Sequence, residues 1–332
     1  MKYKRKITFL LVVLLLFSLF TASCGDLEQE QNAKRVLLNG FSVHYLDVGN
    51  GDCIFIKFLD EKTALIDSAE PDDQKAEYIS DFLKDYGTTK LDYFIITHPD
   101  ADHIGNAHHL IKEFDVENLY IPDLNARAIE YFPILEQVIS LANEREINIK
   151  KSDNYKVILG DGYSMAFLTP YPKGFSDSSY NDVNGELIPD QAQVNDLSPI
   201  IYLESCGFRF VFTGDAGSSQ EKLALKIVND PIFRAQMQMY KINVDLCDVD
   251  FLKLGHHGSD SSSCMQFLQT LKPKNAVVSV SGNNYYGHPN TEVLERLSTV
   301  NPEYKLYRTD VHGTVSVGVV DGKIKIITDK ID

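Results

Sequence analysis

One short segment constrains the fold of this chain more than any other. The apolar run 91–96 predicts a buried strand, and the segment THPDADHIG follows it at 97–105. It places four side chains that can bind a metal within six positions: His98, Asp100, Asp102 and His103. Because alternate side chains of an extended chain point the same way, His98 and Asp100 can face one ion where the strand ends. Imidazole with carboxylate is typical of zinc, manganese or iron sites, and this many ligands favours two ions over one.

A single cluster of this kind has a simpler explanation, because Asp often caps helices and His often lies in turns. Two further clusters favour the metal site. Asp215 follows the strand-like run 208–212, and the segment GHHGS at 255–259 follows the run 250–254. Each cluster places polar side chains beside glycine at the end of an apolar strand, where binding sites form in sheets.

These motifs resemble those of the metallo-β-lactamase superfamily, and within it the hydrolase domain of ComEC-type DNA-uptake proteins. The superfamily motif His-x-His-x-Asp-His stands here as His98, Asp100, Asp102 and His103, with Asp100 replacing the second His, a replacement typical of the ComEC-type branch. The resemblance runs from His44 to about Val319 and includes the segments YLDVGNGD (45–52), LIDS (65–68), NDLS (195–198), TGD (213–215), GHHGS (255–259), YGHP (286–289) and RTD (308–310). It is specific for the fold and much less so for the substrate.

The resemblance implies an α/β fold, the four-layer αββα sandwich, over residues 39–330. The hydrophobic pattern is consistent with it: Val43 to Val48, Cys53 to Phe58 and Thr63 to Ile66 predict an antiparallel meander, and Lys75 to Tyr86 predicts an amphipathic helix. A helix is predicted from about His103 to Phe114, and a hairpin that turns at Asp321-Gly322. The segment 170–196, rich in Ser, Asp, Asn, Gly and Pro, predicts an exposed loop. A chain of 332 residues could hold two domains, but motifs spread over nearly all of it favour one.

The resemblance also implies two divalent ions, zinc or manganese, and their ligands. The first ion is expected on His98, Asp100 and Asp215, with Ser198, Asp196 or water where other members supply a further His. The second is expected on Asp102, His103, Asp215 and His256. His256 is favoured over His257 because it is taken to continue the preceding strand. Such a pair of ions activates water and holds both the attacking and leaving oxygens, which suits phosphodiester hydrolysis.

Three residues are candidates for catalysis: Asp102, Asp215 and His288. His288 could give a proton to the leaving oxygen, although a turn histidine held by the backbone is an equal alternative. Three residues are candidates for substrate contacts: Ser259, Lys253 and His257. Asp67 ends a strand and is expected to be structural rather than a ligand.

The formal net charge of −15 repels polyanions except where metal ions or local lysines reverse the field. It therefore argues against tight, nonspecific binding of DNA by this chain.

The N-terminal residues predict an export signal. Basic residues lie within Lys2 to Lys6, a 14-residue apolar stretch runs from Ile7 to Phe20, and small residues lead to Cys24. Residues 1–24 resemble a bacterial lipoprotein signal with Cys24 as the lipidated residue, and an ordinary secretory signal or an uncleaved anchor are the alternatives. Residues 25–38 then form a polar tether. The expected location is extracytoplasmic, on a membrane reached through the lipid anchor, and no protein partner can be inferred.

Three functions remain open from the sequence. The first is a membrane-tethered two-metal phosphodiesterase or nuclease, with DNA or another phosphodiester as substrate. The second is a hydrolase of an envelope ester, such as a phosphocholine or teichoic acid ester, or of a lactam or lactone. The third is a non-catalytic, metal-binding lipoprotein that keeps the scaffold. A likeness in fold does not decide between them.

Overall fold

The computed structural model describes residues 40–170, 180–183 and 186–330. The predicted signal, the tether and Cys24 lie outside the described residues. Within those ranges no helix has the length and apolar character that crossing a membrane would require.

The described residues form strands and helices in alternating series. The strands are β1 Ser42–Tyr45, β2 Ile54–Lys57, β3 Thr63–Ile66, β4 Lys90–Ile95, β5 Asp115–Ile121, β6 Asn148–Lys151, β7 Val157–Gly160, β8 Tyr163–Phe167, β9 Tyr180–Val183, β10 Glu186–Pro189, β11 Ile201–Ser205, β12 Phe208–Phe212, β13 Phe251–Lys253, β14 Asn275–Val278, β15 Lys305–Arg308, β16 Val315–Val320 and β17 Lys323–Thr328. The helices are α1 Asp73–Asp85, α2 Ala101–Ile104, α3 Ala107–Glu113, α4 Ala126–Glu130, α5 Pro133–Glu144, α6 Gln191–Asn195, α7 Ser218–Ile227, α8 Pro231–Met239, α9 Met265–Leu271, α10 Thr291–Val300 and α11 Thr309–His312.

Two large sheets carry the fold. An eight-stranded sheet has the order β17-β16-β1-β2-β3-β4-β5-β6, and a seven-stranded sheet has the order β15-β14-β13-β12-β11-β8-β7. In each sheet an antiparallel part passes into a parallel part, which begins at the β3–β4 pair in the first and at the β12–β13 pair in the second. Parallel neighbours need crossover connections, and the helices that make them cover the sheets.

Side-chain alternation sorts the core into three layers. On β1, Val43 and Tyr45 point between the two sheets, where they meet Phe167 and Phe212 of the second sheet. A second apolar cluster lies between the eight-stranded sheet and α1, α3 and α5, and a third lies between the seven-stranded sheet and α7 to α10. Because each sheet is apolar on both faces, both must be covered, and the result is helix, sheet, sheet, helix. The predicted αββα sandwich is confirmed.

The parallel strands bring the three sequence clusters to one edge. His98 comes three residues after the end of β4, and Asp215 comes three residues after the end of β12. The GHHGS segment follows β13, which pairs in parallel with β12. Parallel strands end on the same side of a sheet, which brings Asp215 and the GHHGS segment together. His98 follows a strand of the other sheet and meets them because the two sheets pack face to face.

Local structure differs from the sequence prediction in two places. The helix predicted from His103 to Phe114 is interrupted, because α2 ends at Ile104 and α3 starts at Ala107. Part of the predicted loop 170–196 is ordered as the β9–β10 hairpin and α6, whose N-cap Asp190 accepts a hydrogen bond from the Gln193 backbone N–H. Composition alone hid both, since polar strands of four residues leave almost no hydrophobic pattern. The predicted hairpin at 321–322 is confirmed, with φ of +51° at Asp321 and +71° at Gly322.

His44 packs on the helix side of β1 as a neutral imidazole. Its ring lies 4.4 Å from that of Tyr86, and its two nitrogens hydrogen-bond Ser42 and Ser316 at 2.8 Å. Burial lowers its pKa from 6.5 to about 3. Between these values the unfolded chain binds a proton that the folded chain does not, so stability falls as the pH falls.

We therefore expect the free energy of unfolding of the unaltered chain to fall more steeply between pH 6.5 and 4 than that of His44→Leu. The two slopes should differ by up to about 1.4 kcal/mol per pH unit, which corresponds to about one proton taken up on unfolding. Urea unfolding at several pH values measures it. His109→Gln, at an exposed histidine, is the control. Equal slopes for His44→Leu and the unaltered chain would contradict the buried, neutral state of His44.

Candidate metal centre

Four buried polar atoms converge at the sheet edge, and each lacks a hydrogen-bond partner among the described residues: Nε2 of His98, Nε2 of His103, Nε2 of His257 and Oδ1 of Asp215. The Asp215 oxygen lies 3.3 Å from the His103 nitrogen and 3.6 Å from the His257 nitrogen. Two ligands each about 2.1 Å from one ion lie roughly 3.0 to 3.5 Å apart at ordinary coordination angles. Buried polar groups are normally paired, so these unpaired atoms fit divalent cations bound at the cluster.

Three groups of possible ligands overlap at His103, each with ligand atoms within 4.8 Å of one another. His98, His103 and Asp215 form the first, Asp102, His103 and His257 the second, and Asp52, Asp67 and His103 the third. Asp100 adds an oxygen 3.3 Å from Nε2 of His98, and Asp102 adds one 3.4 Å from Nε2 of His257. The residues can therefore hold divalent metal.

A hydrogen bond at Nδ1 fixes the orientation of two of the candidate ligand imidazoles. Nδ1 of His103 lies 2.8 Å from a carboxylate oxygen of Asp67, which also accepts hydrogen bonds from the backbone N–H and the hydroxyl of Thr97. Nδ1 of His257 lies 2.9 Å from the Ser279 carbonyl and donates to it. In each case the outer nitrogen carries the proton, and Nε2 is left to bind a metal.

Ser198 and Asp100 contact the two ring nitrogens of His98. The Ser198 hydroxyl lies 3.2 Å from Nδ1 of His98 and accepts the backbone N–H of Asp215 at 3.1 Å. It thus joins two loops behind the ligands. Asp100 also accepts a hydrogen bond from Gln191 at the start of α6. Asp196 binds Gly217 and Ser219, and it does not line the cavity.

The GHHGS segment turns sharply, and the turn separates the two adjacent histidines. β13 ends at Lys253, and His256, His257 and Gly258 all have positive φ, at +46°, +53° and +81°. The prediction that His256 continues the strand is therefore wrong. His257 points inward and is 7% exposed. The more exposed His256 has Nε2 3.8 Å from Asp215 and Nδ1 3.1 Å from the Ser261 hydroxyl.

Opposite charges dominate the ionisation of the cluster. Burial raises the pKa of Asp215 and Asp102, but the neighbouring His257 and His103 outweigh it, and both pKa values lie below the usual range. Burial lowers the pKa of His103 and His257, but Asp215 outweighs it, and both pKa values are raised. A field that retains protons on buried imidazoles also attracts a metal cation, which would displace those protons.

A cavity of about 670 Å³ opens onto the cluster. Its described lining comprises Asn50, Asp100, Ala101, Asp102, Gln191, Asn195, Asp215, His256, His257, Ser259, Asn284, Tyr286 and His288. No Lys or Arg stands in that described lining. The His288 ring lies 5.9 Å from that of His256, and its pKa is lowered by burial and by the nearby His256 and His257.

Lys253, predicted to contact substrate, lies elsewhere. It is fully buried, and its Nζ pairs with Asp52 at 2.6 Å. Asp52 lies in the 47–52 loop of the first sheet, and its second oxygen is 3.8 Å from Nδ1 of His257. The sequence analysis included Asn50 and Asp52 only as part of the motif at 45–52, and it assigned no role to either of them or to Gln191 or Tyr286. The proximity of Asn50 and Asp52 to the first motif could have been suspected only from their shared glycine-rich loop.

Comparisons with known proteins agree with this architecture. Residues 46–163 match the family described as the metallo-beta-lactamase superfamily. ComE operon protein 3 of Bacillus subtilis (strain 168) is 29% identical over 288 residues, which cover 82% of this chain and 32% of that protein. Competence protein ComA of Neisseria gonorrhoeae is 40% identical over 74 residues, which cover 22% of this chain and 10% of that protein. The chain thus spans about a third or less of the length of these relatives.

One solved structure that the comparison matches is that of Igni18, a metallo hydrolase from the archaeon Ignicoccus hospitalis. It is 13% identical, with a TM-score of 0.44, over 83% of this chain and 98% of that one.

We expect Lys253→Met to lower the free energy of unfolding by about 3 to 5 kcal/mol, because it leaves the Asp52 carboxylate buried and unpaired. The double change Asp52→Asn with Lys253→Met should cost clearly less than the sum of the two single changes. Urea unfolding measures each value. Lys151→Met, which removes an exposed lysine 3.4 Å from Asp123, is the control and should cost less than about 1 kcal/mol. Additive costs would show that the two buried charges do not interact.

Proposed function

We propose that this chain, whose residues 46–163 match the metallo-beta-lactamase superfamily, is a hydrolase that uses two divalent ions to cleave phosphodiesters of nucleotides or nucleic acid. The observation that carries the proposal is the convergence of three unpaired imidazole nitrogens on Asp215 at the floor of an open cavity. Because the chain spans only part of its competence relatives, this activity is a proposal for the chain itself.

We assign the ligands by distance. The first ion takes His98, Asp100 and Asp215, and the second takes Asp102, His103, His257 and Asp215, so Asp215 is shared. This assignment keeps every ligand predicted from the sequence except His256, which is replaced by His257. Two observations favour His257 over His256: its Nε2 lies 3.4 Å from a carboxylate oxygen of Asp102, and its side chain is buried. His256 is then free to contact substrate.

Zinc or manganese held by these residues would supply a Lewis acid for a phosphoryl oxygen and a lowered pKa for water. The residues of the chain orient the ligands and contact the substrate. Asp67, Ser198 and the Ser279 carbonyl hold the ligand rings in place, so that little reorganisation is needed on binding. His288 lines the cavity on the outer side of His256 and is placed to hydrogen-bond the leaving oxygen.

The charge of the cavity favours a phosphodiester over a phosphate-rich ligand. Its described lining carries three Asp residues and no Lys or Arg. A polyphosphate would meet carboxylates and no side-chain cation. A diester carries one negative charge, which the two ions can meet.

A second candidate is an ester of the cell envelope, such as a phosphocholine or teichoic acid ester. Its support is the N-terminal sequence, since an enzyme tethered through Cys24 would meet surface polymers first. The acidic chain favours a zwitterionic phosphocholine ester in particular, because long polyanions would be repelled. Tethering stays a prediction of the sequence, and palmitate labelling of cells that make the chain, with and without Cys24→Ala, tests it.

The full chain, purified in detergent and loaded with Mn²⁺ or Zn²⁺, should hydrolyse bis-p-nitrophenyl phosphate and short single-stranded DNA. Asp215→Asn should reduce kcat/KM by at least about 100-fold, because it removes the shared carboxylate. Asp81→Asn, at an exposed aspartate on α1, is the matched control and should change little.

Two outcomes would contradict this function. Faster hydrolysis of p-nitrophenyl phosphorylcholine, a diester with a choline group, or of nitrocefin than of bis-p-nitrophenyl phosphate and DNA would favour the second candidate. Stoichiometric metal with no turnover of any substrate would indicate a binding protein that keeps the scaffold.

The adjacent histidines provide a direct test of the ligand assignment. His257→Ala should lose about one equivalent of metal after dialysis, as measured by plasma mass spectrometry, because it removes a ligand of the second ion. His256→Ala should retain two equivalents. Thermal unfolding of both variants controls for loss of fold. Metal loss in His256→Ala with retention in His257→Ala would restore the original assignment.

A further inference from the structure

The outer wall of the cavity carries an aromatic surface that the proposed chemistry does not use. Tyr286 lines the cavity, yet 75% of it is exposed, and its ring stacks on that of His288 at 5.8 Å and 16° between planes. The neighbouring Tyr285 is 97% exposed and stands perpendicular to Tyr286 at 6.1 Å. Large aromatic rings that stay in water beside a site are typical of ligand contacts.

The loop that carries these rings is held rigidly. The Asn284 amide donates to the carbonyls of Ser281 and His288 at 2.8 Å, and its oxygen accepts the His288 backbone N–H at 2.7 Å. Ser281 in turn donates its backbone N–H to the Asn50 side chain at 3.1 Å. The backbone on both sides of Tyr286 is therefore held before any ligand arrives, which lowers the entropic cost of ordering this loop on binding.

A series of ring contacts links this surface to the metal centre. Nε2 of His256 lies 3.8 Å from Asp215, the His256 and His288 rings are 5.9 Å apart, and His288 stacks on Tyr286. A group that rests on Tyr286 would thus lie in the same cavity as a phosphate at the centre.

We propose that Tyr286, backed by His288, binds the nucleobase next to the scissile phosphate, so that the substrate is a nucleoside phosphodiester or a single-stranded end rather than a duplex. This rests on the proposed function and names its substrate class. Base stacking on an aromatic ring supplies affinity without cationic side chains, which the described lining lacks. A stacked duplex presents no free base face to the ring.

A quaternary ammonium group is the main competing ligand, since tyrosines also attract cations. Two observations favour the base. The ring of Tyr286 is backed by a parallel imidazole, which makes a flat surface. The cavity lining also includes the amides of Asn50 and Gln191, which can hydrogen-bond the edge of a base. A trimethylammonium group has neither a donor nor an acceptor for such bonds.

The test compares two esters with the same leaving group, thymidine 5′-(p-nitrophenyl phosphate) and methyl p-nitrophenyl phosphate, on the Mn²⁺-loaded full chain. The unaltered chain should prefer the thymidine ester. In Tyr286→Ala the ratio of the two kcat/KM values should fall about tenfold, mainly through KM of the thymidine ester, because one base–aromatic stack is lost. Tyr286→Phe should keep the ratio, and so should Tyr240→Ala, at an exposed tyrosine outside the described cavity lining.

The possible failures are separable. Hydrolysis of both esters without a thymidine preference, or an unchanged ratio in Tyr286→Ala, would overturn the base site while the phosphodiesterase stands. A higher rate on p-nitrophenyl phosphorylcholine, lost in Tyr286→Ala, would overturn it in favour of a cationic ligand. If neither ester is hydrolysed, the proposed function fails, and calorimetric titration with thymidylyl-thymidine decides. Binding that weakens about tenfold in Tyr286→Ala would support the base site, and absence of binding would overturn it.

Discussion

The buried ion pair between Asp52 and Lys253 connects the two halves of the molecule, and the arrangement of the metal centre depends on it. Asp52 belongs to the loop that follows β1 of the first sheet, and Lys253 ends β13 of the second. The same loop holds Asp102, because the Asp52 backbone N–H donates to its carbonyl, and Gly51 packs so closely there that an added Cβ would lie 2.1 Å from the Asp102 oxygen. Burying two charges is costly, so the role of such a pair is to set position rather than to add stability.

The ligand cluster is formed from both halves in the same way. Asp102 and His103 come from the first sheet, and Asp215 and His257 come from the second. Each imidazole is fixed by a second group, and the turn that directs His257 inward requires left-handed backbone at two non-glycine residues. Such conformations cost about 1 to 3 kcal/mol each and persist where the surrounding structure imposes them. The site is thus organised before a metal or substrate arrives, and the outer wall at Tyr286 is organised by the same means.

Much of the fold followed from local pattern. Alternation and apolar runs located β1 to β4, β12 and β13, and the clusters at their ends indicated where the site would form. The short polar strands β6, β9 and β10 escaped because neither period nor composition marks them. Among the site residues, Asp67 was predicted to be structural, and in the structure it lies 2.8 Å from Nδ1 of His103. The choice between His256 and His257 depended on two backbone angles that adjacent identical residues cannot signal. Lys253 was misplaced for a related reason, since a lysine in an apolar run has no local feature that indicates a buried partner 201 positions earlier.

The sequence alone determined which chemical groups were available and which sheet edge they would reach, because side-chain period and strand direction are local properties. Only the tertiary structure decided which of those groups face one another: His257 on the metal side, Lys253 on Asp52, and Tyr286 against His288 at the cavity wall. These choices depend on contacts between segments far apart in the chain, and the distances and burial that set their energies exist only once the two sheets have packed together.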